Sequence, residues 1–433
     1  MRVDRLCNSN LNAKNLFKAI NKHSISLINY HIGLQHLEPA DFAAIDQEVC
    51  LFLIKHNVHL KPGCKERLYL PRKEMESGFH SVEMKSECML LELWKTLEKY
   101  INISSRRAAI LKVEEQEKTH LSLIKHYLRL RYSLEDVSVK SVINAQRDSL
   151  YGKINDKKLH EKLYRARLNE HINLKDSSTW MIHGNNNPRA EALYCYIQDR
   201  NVFWRETAPS CQHCSQAKKI IDHLATGCDR ILGHNYTRRH NEVLRCIHLL
   251  LMNKYGFKKN KEIQKPLSPE LVENDLAEIR VDTRIRTDIL VKHNRPNIFI
   301  YDKRENMVIL VEIGITGQDN LQQVEVEKKR KYDLLASELG ILYKAKTKIT
   351  PYVLTWESVL TKYHRSYLKE LRFTPQIEAY IQSTVLKKTL ETISLEHRRS
   401  IEDRLEATDV VEKAVDALMK ASETGCLPQV KGK

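Results

Sequence analysis

The stretch NIFIYDKRENMVILVEIGI, residues 297–315, decides the fold of this 433-residue chain. Residues 297–302 are rich in β-branched and aromatic side chains, and residues 303–306 are polar and turn-like. Residues 307–315 are apolar at almost every position, which is typical of a strand that is buried on both faces. The sequence therefore predicts a strand, a short turn and a central strand of a sheet.

The sequence around this pair of strands predicts a mixed fold. Residues 321–339 have the spacing of an amphipathic helix, and residues 349–355 return to strand composition, which gives the order ββαβ. Because strand character is convincing only within residues 280–355, we predict an α+β protein whose N-terminal half is mostly helical. The other predicted elements are a helix that begins at Pro39, helices in residues 82–174 and after residue 373, and a short extended run at residues 67–73.

One carboxylate interrupts the apolar central strand. Glu312 is costly to bury there unless it meets a metal ion, a lysine or a strong hydrogen-bond donor. The following helix places Lys328, Lys331 and Tyr332 on one face, at positions i, i+3 and i+4. A buried carboxylate with a second acid and a lysine nearby is the usual arrangement of a metal-dependent phosphodiesterase. A salt bridge from Glu312 to a helix lysine in an ordinary α/β domain is the alternative.

A second group of chemistry-bearing residues lies upstream, with the spacing Cys-x2-Cys-x8-His-x4-Cys at Cys211, Cys214, His223 and Cys228. Zinc prefers four sulfur or nitrogen ligands in a tetrahedron, and two cysteines separated by two residues supply a pair of them from one tight turn. A site closed by four protein ligands is structural rather than catalytic. A chance cluster is the alternative. Three nearby residues are candidates to replace His223: His213, His234 and His240.

The composition indicates a polyanionic partner. Lys+Arg 71 against Asp+Glu 55 gives a formal net charge of +16. Arg238, Arg239 and His240 follow the cysteine and histidine cluster directly, and guanidinium groups match phosphate oxygens. We therefore predict that these three residues bind nucleic acid. A solvated helix start at these residues, or an anionic membrane surface as the partner, is the alternative.

The same composition argues against secretion and against membrane insertion. The start of the chain lacks the apolar core of a secretory signal, and no apolar stretch approaches the about 20 residues that a membrane span needs. Ten cysteines among 433 residues are too few for a disulfide scaffold. We therefore expect a protein of a reducing compartment.

Taken together, these motifs resemble the C-terminal part of site-specific non-LTR retrotransposon polyproteins, which carry a restriction-like endonuclease. The resemblance runs along most of the chain, and the order of the motifs is more specific than any one of them. The matching segments are residues 67–74 with Gly78, residues 178–180 and 192–201, the cysteine and histidine cluster with Tyr236 and residues 239–241, residues 272–275, 286–288 and 295–297, and residues 327–328 and 331–332.

The resemblance implies an organisation and a chemistry. It implies DNA as the partner, with retrotransposon RNA as a second one, structural zinc at the cysteine and histidine cluster, magnesium or manganese in an active nuclease, and residence in the nucleus. Its catalytic positions correspond to Asn297, Glu312, Lys328, Lys331 and Tyr332, with Glu312 as a magnesium ligand. The implied regions are a post-polymerase, thumb-like helical region at 1–115, a helical linker at 116–205, a zinc knuckle with a basic helix at 206–260, a restriction-like endonuclease domain at 265–372 and a charged helical tail at 373–433.

One departure from the family decides the expected activity. The family's Arg-Pro-Asp is Arg-Pro-Asn at residues 295–297, so an amide replaces the first metal-binding carboxylate. The 14 residues between Asn297 and Glu312 fit the family spacing, and Glu312 stands where the family usually has aspartate. An amide oxygen can contact Mg²⁺ but brings no charge. Asp302 has the opposite strand parity and is expected to face away, which leaves Asp288 as the open candidate for a substitute.

We therefore expect a retrotransposon-derived, nucleic-acid-binding protein whose DNA-nicking activity is impaired. The alternatives are an active magnesium-dependent endonuclease for target-primed reverse transcription and a non-functional remnant of an element. The sequence has no Asp-Asp pair of the polymerase palm kind, so we expect no DNA synthesis. It looks like a truncated element, or a host gene that kept the nucleic-acid-handling half.

Overall fold

The computed structural model describes residues 2–32, 37, 39–99, 120–200, 210–211, 213–257 and 270–402. The described chain forms two compact units. The first unit contains the described residues of 1–165 and 185–201, and the second unit contains those of 166–184 and 202–433. The region predicted as a linker, residues 116–205, is not set apart as a body of its own, because its described residues belong to both units.

The first unit is helical. Asn12 begins one helix by accepting a hydrogen bond from the backbone of Asn15, and Ser138 begins another through a reciprocal capping pair with Ser141. The apolar faces of these helices share one buried core. The prediction that Pro39 begins a helix is confirmed. The helices of this unit are Arg2–Cys7, Ala13–Ile20, the π-helical Asn21–Ile25, Ser26–Ile28, Pro39–Lys55, Val82–Lys99, His120–Tyr132, Val139–Asn155, Glu161–Arg165 and Pro188–Gln198.

The extended run predicted at residues 67–73 is wrong. The chain forms two 3₁₀ turns there, Glu66–Leu68 and Arg72–Glu74. The buried guanidinium of Arg67 donates hydrogen bonds to the carbonyl of Met75, which requires the backbone to curl around it. A strand would carry the carbonyl of Met75 away from that side chain. The need of the buried guanidinium for hydrogen-bond acceptors therefore outweighs the local preference for a strand.

The second unit contains one five-strand mixed sheet in the order β1-β2-β3-β4-β5. Neighbouring strands are antiparallel as far as β4, and β4 pairs with β5 in parallel. The three predicted strands and the turn between the first two are confirmed, and β4 is buried as expected, although it is the fourth of the five strands and not the middle one. The strands are β1 Glu270–Glu273, β2 Ala277–Val281, β3 Ile298–Asp302, β4 Met307–Thr316 and β5 Lys346–Thr355.

The connection from β4 to β5 differs in one respect from the prediction. Two helices, Leu321–Arg330 and Asp333–Tyr343, replace the single helix expected at residues 321–339. Tyr332 at the break has non-helical dihedrals, with φ −113 and ψ 14, and its ring is buried in an apolar cluster with Phe299 and Leu310. Burying this ring therefore ends the first helix, which we call the crossover helix, and turns the chain into the second.

The remaining helices of the second unit pack on the sheet or on one another, and the site residues that they supply include His223 and His240. The helix Asp229–Lys254, which we call the long helix, follows the cysteine and histidine cluster directly. The helices of both units and the sheet together confirm the α+β class. Among the described helices, none has both the length and the apolar composition of a membrane span. The others are Leu174–Ser177, Thr179–Ile182, the π-helical His223–Gly227, His364–Leu371 and Pro375–Glu402, and the predicted tail beyond residue 402 lies outside the described residues.

Candidate functional site

Asn297 and Glu312 form the centre of the candidate site. The register that pairs Ile298 with Val311 places Asn297 directly opposite Glu312, so both side chains lie on the same face of the sheet. The backbone N–H of Asn297 donates to Glu312 Oε2 at 3.3 Å. The side-chain Oδ1 of Asn297 accepts from the backbone N–H of Ile313 at 2.8 Å. The two positions that the sequence spacing relates are therefore neighbours in space.

Two lysines of the crossover helix and its C-terminal boundary neutralise Glu312. The Nζ atoms of Lys328 and Lys331 lie 2.8 and 2.9 Å from Glu312 Oε1. Burial acts to raise the pKa of Glu312, but the attraction of Lys328 and the hydrogen bonds from both lysines outweigh it and lower the pKa. The Glu312 side chain is 3% exposed, whereas those of Lys328 and Lys331 are 23% and 34% exposed. The two lysine side chains are therefore partly exposed, while their ammonium groups contact a buried anion.

Tyr332 and His240 complete the surroundings of this pair. The Tyr332 hydroxyl donates to the carbonyl of Arg295 at 2.8 Å, and burial together with the charge of Glu312 raises the pKa of this phenol to about 12. His240 Nε2 lies 3.2 Å from Asn297 Oδ1, and its ring stacks on Tyr236. The sequence predicts phosphate binding for His240 and gives no signal for this contact. No local spacing relates residues 57 positions apart.

The donors around Glu312 do not fit a hard divalent cation. Glu312 Oε1 already accepts from two ammonium groups, and Asn297 adds a neutral oxygen that accepts from a backbone N–H. Mg²⁺ and Mn²⁺ favour carboxylate-rich oxygen sites. Asp302 turns away as expected, since its Oδ2 accepts from the Tyr255 hydroxyl at 2.9 Å. Asp288 lies in an exposed loop, and its side chain forms no hydrogen bond or ion pair with the described residues around Glu312.

The cysteine and histidine cluster does fit a metal ion. The ligand atoms of Cys211, Cys214, His223 and Cys228 all lie within 4.8 Å of one another. Cys211 and Cys228 have their sulfurs 3.7 Å apart, and Cys214 Sγ lies 3.3 Å from His223 Nε2. Two sulfurs bound to one tetrahedral zinc stand about 3.8 Å apart, because each Zn–S bond is about 2.3 Å. The donor types and their separations therefore match a closed zinc site.

Three local structures position these ligands. A β-bridge between Ser210 and Lys218 closes the turn that carries Cys211 and Cys214. The π-helical turn His223–Gly227 presents the histidine, and Cys228 stands at the N-terminus of the long helix. Several hydrogen bonds lower the pKa of Cys214 to about 6, and the one from the backbone N–H of Gln216 has the largest effect. The lowered pKa favours the thiolate that a metal requires.

The two arginines after the cluster do not form one phosphate clamp. Arg239 is 1% exposed and donates to the carbonyl of Ala225 in the π-helical turn, and burial lowers its pKa to about 10. Arg238 is exposed and pairs with Glu391 at 2.7 Å. Since Arg239 points into the protein, we replace its predicted role in phosphate contact by a role in fixing the long helix to the ligand-bearing turn.

The first unit joins two of the sequence motifs without forming a site. Arg67, from residues 67–74, donates to Asp199 Oδ1 at 3.1 Å, and Asp199 belongs to the motif at residues 192–201. Both side chains are buried. A buried ion pair with further carbonyl partners fixes the fold of this unit and offers no open position for chemistry.

Comparison with known proteins yields no match to a protein-family model and no match to a curated protein sequence. The resemblance to retrotransposon polyproteins therefore depends on the ordered motifs in the sequence. The geometry around Glu312 and around the cysteine and histidine cluster is the structural basis for a functional proposal.

Replacing Glu312 by glutamine tests the electrostatic account of the site. The substitution leaves Lys328 and Lys331 facing each other without their shared anion, and we expect a loss of about 1–3 kcal/mol in the free energy of unfolding, below the value for a fully buried pair because both lysines are partly exposed. Glu305→Gln is the matched control, because Glu305 and its partner Arg372 are both exposed. Urea titration of the two variants measures the difference.

The effect of Glu312→Gln depends on pH in a defined direction. The folded pKa of Glu312 is lowered, so its contribution to stability is fully present above its ordinary pKa, which is about 4.3, and is lost as the pH falls through the folded value. The difference in the free energy of unfolding between the native chain and Glu312→Gln therefore disappears in acid. A gap that is unchanged from pH 7 to acid would show that Glu312 is not held as the charged form.

Proposed function

We propose that this protein binds DNA through a restriction-like endonuclease fold and a zinc knuckle, as a relative of the C-terminal part of non-LTR retrotransposon polyproteins, and that its DNA-nicking activity is impaired. One observation supports this most directly. Asn297 occupies the position opposite Glu312 on the central strand pair, and Lys328 and Lys331 converge on the same carboxylate. The arrangement has the lysines of a phosphodiesterase site and lacks its second anion.

The residues of the site favour a phosphate over a cation. Glu312 contributes one negative charge and the two lysines contribute two positive ones, so the site is net positive, and both lysine side chains are partly exposed. His240, beside Asn297, adds a further polar ring to the site. Phosphate contacts of this kind hold nucleic acid without reading its sequence.

The zinc knuckle has a positioning role in this proposal. Cys211, Cys214, His223 and Cys228 would hold the zinc, and the metal would supply structure rather than chemistry, because four protein ligands close its coordination sphere. Cys228 begins the long helix, and the same helix carries His240 to Asn297. Holding the knuckle therefore fixes the position of His240.

Titration of DNA binding against salt tests the proposal. With about four phosphates neutralised, the affinity for a short duplex falls about 100-fold between 50 and 200 mM salt. Replacing both Lys328 and Lys331 by alanine weakens binding and lowers the salt slope, whereas Lys175→Ala, at an exposed lysine in the same unit, changes neither. Fluorescence anisotropy measures each affinity.

The outcome separates the proposal from its competitors. A native chain that shows no binding, or binding that ignores salt, would identify a remnant without activity. A preference for single-stranded RNA over duplex DNA would move the proposal to retrotransposon RNA. Binding that persists after zinc is chelated would remove the knuckle from the proposal. Residence in the nucleus follows from a DNA partner and is part of the same proposal.

A further inference from the structure

The loop between β2 and β3 is held rigidly at its base. The backbone N–H of Asp282 donates to the carbonyl of Asn297 at 2.9 Å, and the Arg295 guanidinium donates to the carbonyl and to the carboxylate of Asp282. One step further, the N–H of Ile285 donates to the carbonyl of Asn294 at 2.8 Å. These contacts close residues 282–297 into a loop with a fixed base.

Two buried apolar residues hold the chain on either side of residues 286–290, which we call the tip of the loop. Ile285 and Val291 are 2% and 5% exposed and pack into the apolar core that contains Phe299 and Leu310. Each anchor fixes the chain on one side of residues 286–290. The tip is therefore fixed at both ends by a buried side chain.

The tip presents apolar side chains to solvent. Leu290 is 98% exposed and Ile289 is 46% exposed. The Thr287 hydroxyl donates to the carbonyl of Ile289 at 2.8 Å, which gives the tip an internal bond. Because its apolar surface is not buried, such a leucine contributes nothing to the stability of the fold.

The flanks of the tip are positively charged. Arg284, Arg286 and Lys292 are exposed, and none of them forms an ion pair with a described residue. Asp288 is the one acid among residues 283–294. The loop thus combines an apolar point with basic side chains on both sides.

We propose that Ile289 and Leu290 form an apolar wedge that enters a base step of duplex DNA, while Arg284, Arg286 and Lys292 contact the flanking phosphates. Proteins that kink DNA insert leucine or isoleucine between base pairs in this way. A protein partner fits less well, since specific interfaces cover about 800 Å² on each side and the tip offers little more than one leucine. The wedge rests on the proposed function, because it requires DNA on this face.

The base of the loop also fixes the wedge relative to the candidate site. Asn297, where the loop ends, donates its N–H to Glu312, and the Tyr332 hydroxyl donates to the carbonyl of Arg295. DNA that is kinked at Leu290 would therefore continue past the part of the sheet that carries Glu312. The wedge would act as a positioning device.

Unstacking of a fluorescent base tests the wedge. The full chain loaded with zinc is added to short duplexes that carry 2-aminopurine at successive steps, and the native chain raises the fluorescence at one step. Leu290→Ala removes that rise and weakens binding about tenfold, because it deletes the inserted surface. The control Leu168→Ala changes an equally isolated leucine, 83% exposed in the same unit, and leaves both signals unchanged. Since both leucines are exposed, neither variant disturbs folding.

The flanking cations have a separate signature. Replacing Arg284, Arg286 and Lys292 by alanine lowers the salt slope of binding by about one for each phosphate that the variant no longer neutralises. Leu290→Ala leaves that slope unchanged. The two sets of variants therefore distinguish the apolar wedge from its electrostatic flanks.

Four outcomes would overturn the wedge, and one of them also overturns the proposed function. Binding of DNA without unstacking, or equal binding by Leu290→Ala and the native chain, would refute the wedge and leave the proposed function standing. Absence of binding to any duplex by the native chain would refute both. Loss of binding to vesicles with anionic headgroups in Leu290→Ala, with DNA binding intact, would assign the loop to a membrane surface.

Discussion

Cys228→Ser will weaken zinc binding at least about 100-fold and will destabilise the second unit. Loss of a residue that merely orients a ligand costs about 10–100-fold in metal affinity, and Cys228 is a ligand itself. Its sulfur lies 3.7 Å from that of Cys211, and the residue is fully buried at the N-terminus of the long helix. Zinc sites of this type supply about 10–16 kcal/mol to folding. Metal analysis and thermal unfolding with and without a chelator measure the two effects.

Cys246→Ser is the matched control for this prediction. Cys246 lies on the same long helix and is 7% exposed, but it is not part of the cysteine and histidine cluster. Its replacement costs about 1 kcal/mol of burial and leaves the zinc content at one per chain. A native chain that purifies without zinc, or whose unfolding temperature ignores the chelator, would contradict the assignment of these four residues as a metal site.

The sequence could predict the features that depend on local spacing. The buried strand around Glu312 follows from an unbroken apolar run, and the lysines reach the carboxylate because i and i+3 positions share a helix face. Likewise the spacing of the cysteines and of His223 indicated a set of ligands that the structure places together. In each case the interacting residues are close in sequence: Lys328 and Lys331 lie within 19 residues of Glu312, and the four ligands lie within residues 211–228.

Other structural features depend on which surfaces pack together in three dimensions. The local sequence pattern does not indicate them. The strands Glu270–Glu273 and Ala277–Val281 were missed because they are short and carry charged residues, so only pairing with β3 defines them. Arg239 looked like a surface cation, yet the packing of the long helix buries it. The contact between His240 and Asn297 likewise requires knowledge of which helix face meets the sheet.

Asn297→Asp will raise magnesium-dependent nicking of supercoiled plasmid at least about 100-fold above that of the native chain. The change is isosteric and keeps the oxygen that accepts from the N–H of Ile313, while it adds a full negative charge opposite Glu312. Two carboxylates make a hard-cation site where one carboxylate balanced by two lysines does not. Calorimetric titration with Mn²⁺ gives a second readout, because the variant binds the ion and the native chain does not.

The controls for this prediction separate the position from the charge. Asn306→Asp adds the same charge in the turn at the other end of the β3–β4 pair, where the side chain contacts Tyr301 and Lys344 rather than Glu312, and leaves nicking at the native level. Adding Glu312→Ala or Lys328→Ala to Asn297→Asp returns nicking to that level, since one removes the remaining anion and the other removes the lysine that stabilises developing charge. Robust nicking by the native chain that Glu312→Ala or Lys328→Ala abolishes would show that the amide at position 297 does not disable the site, because a cation could then be held for catalysis without the second carboxylate.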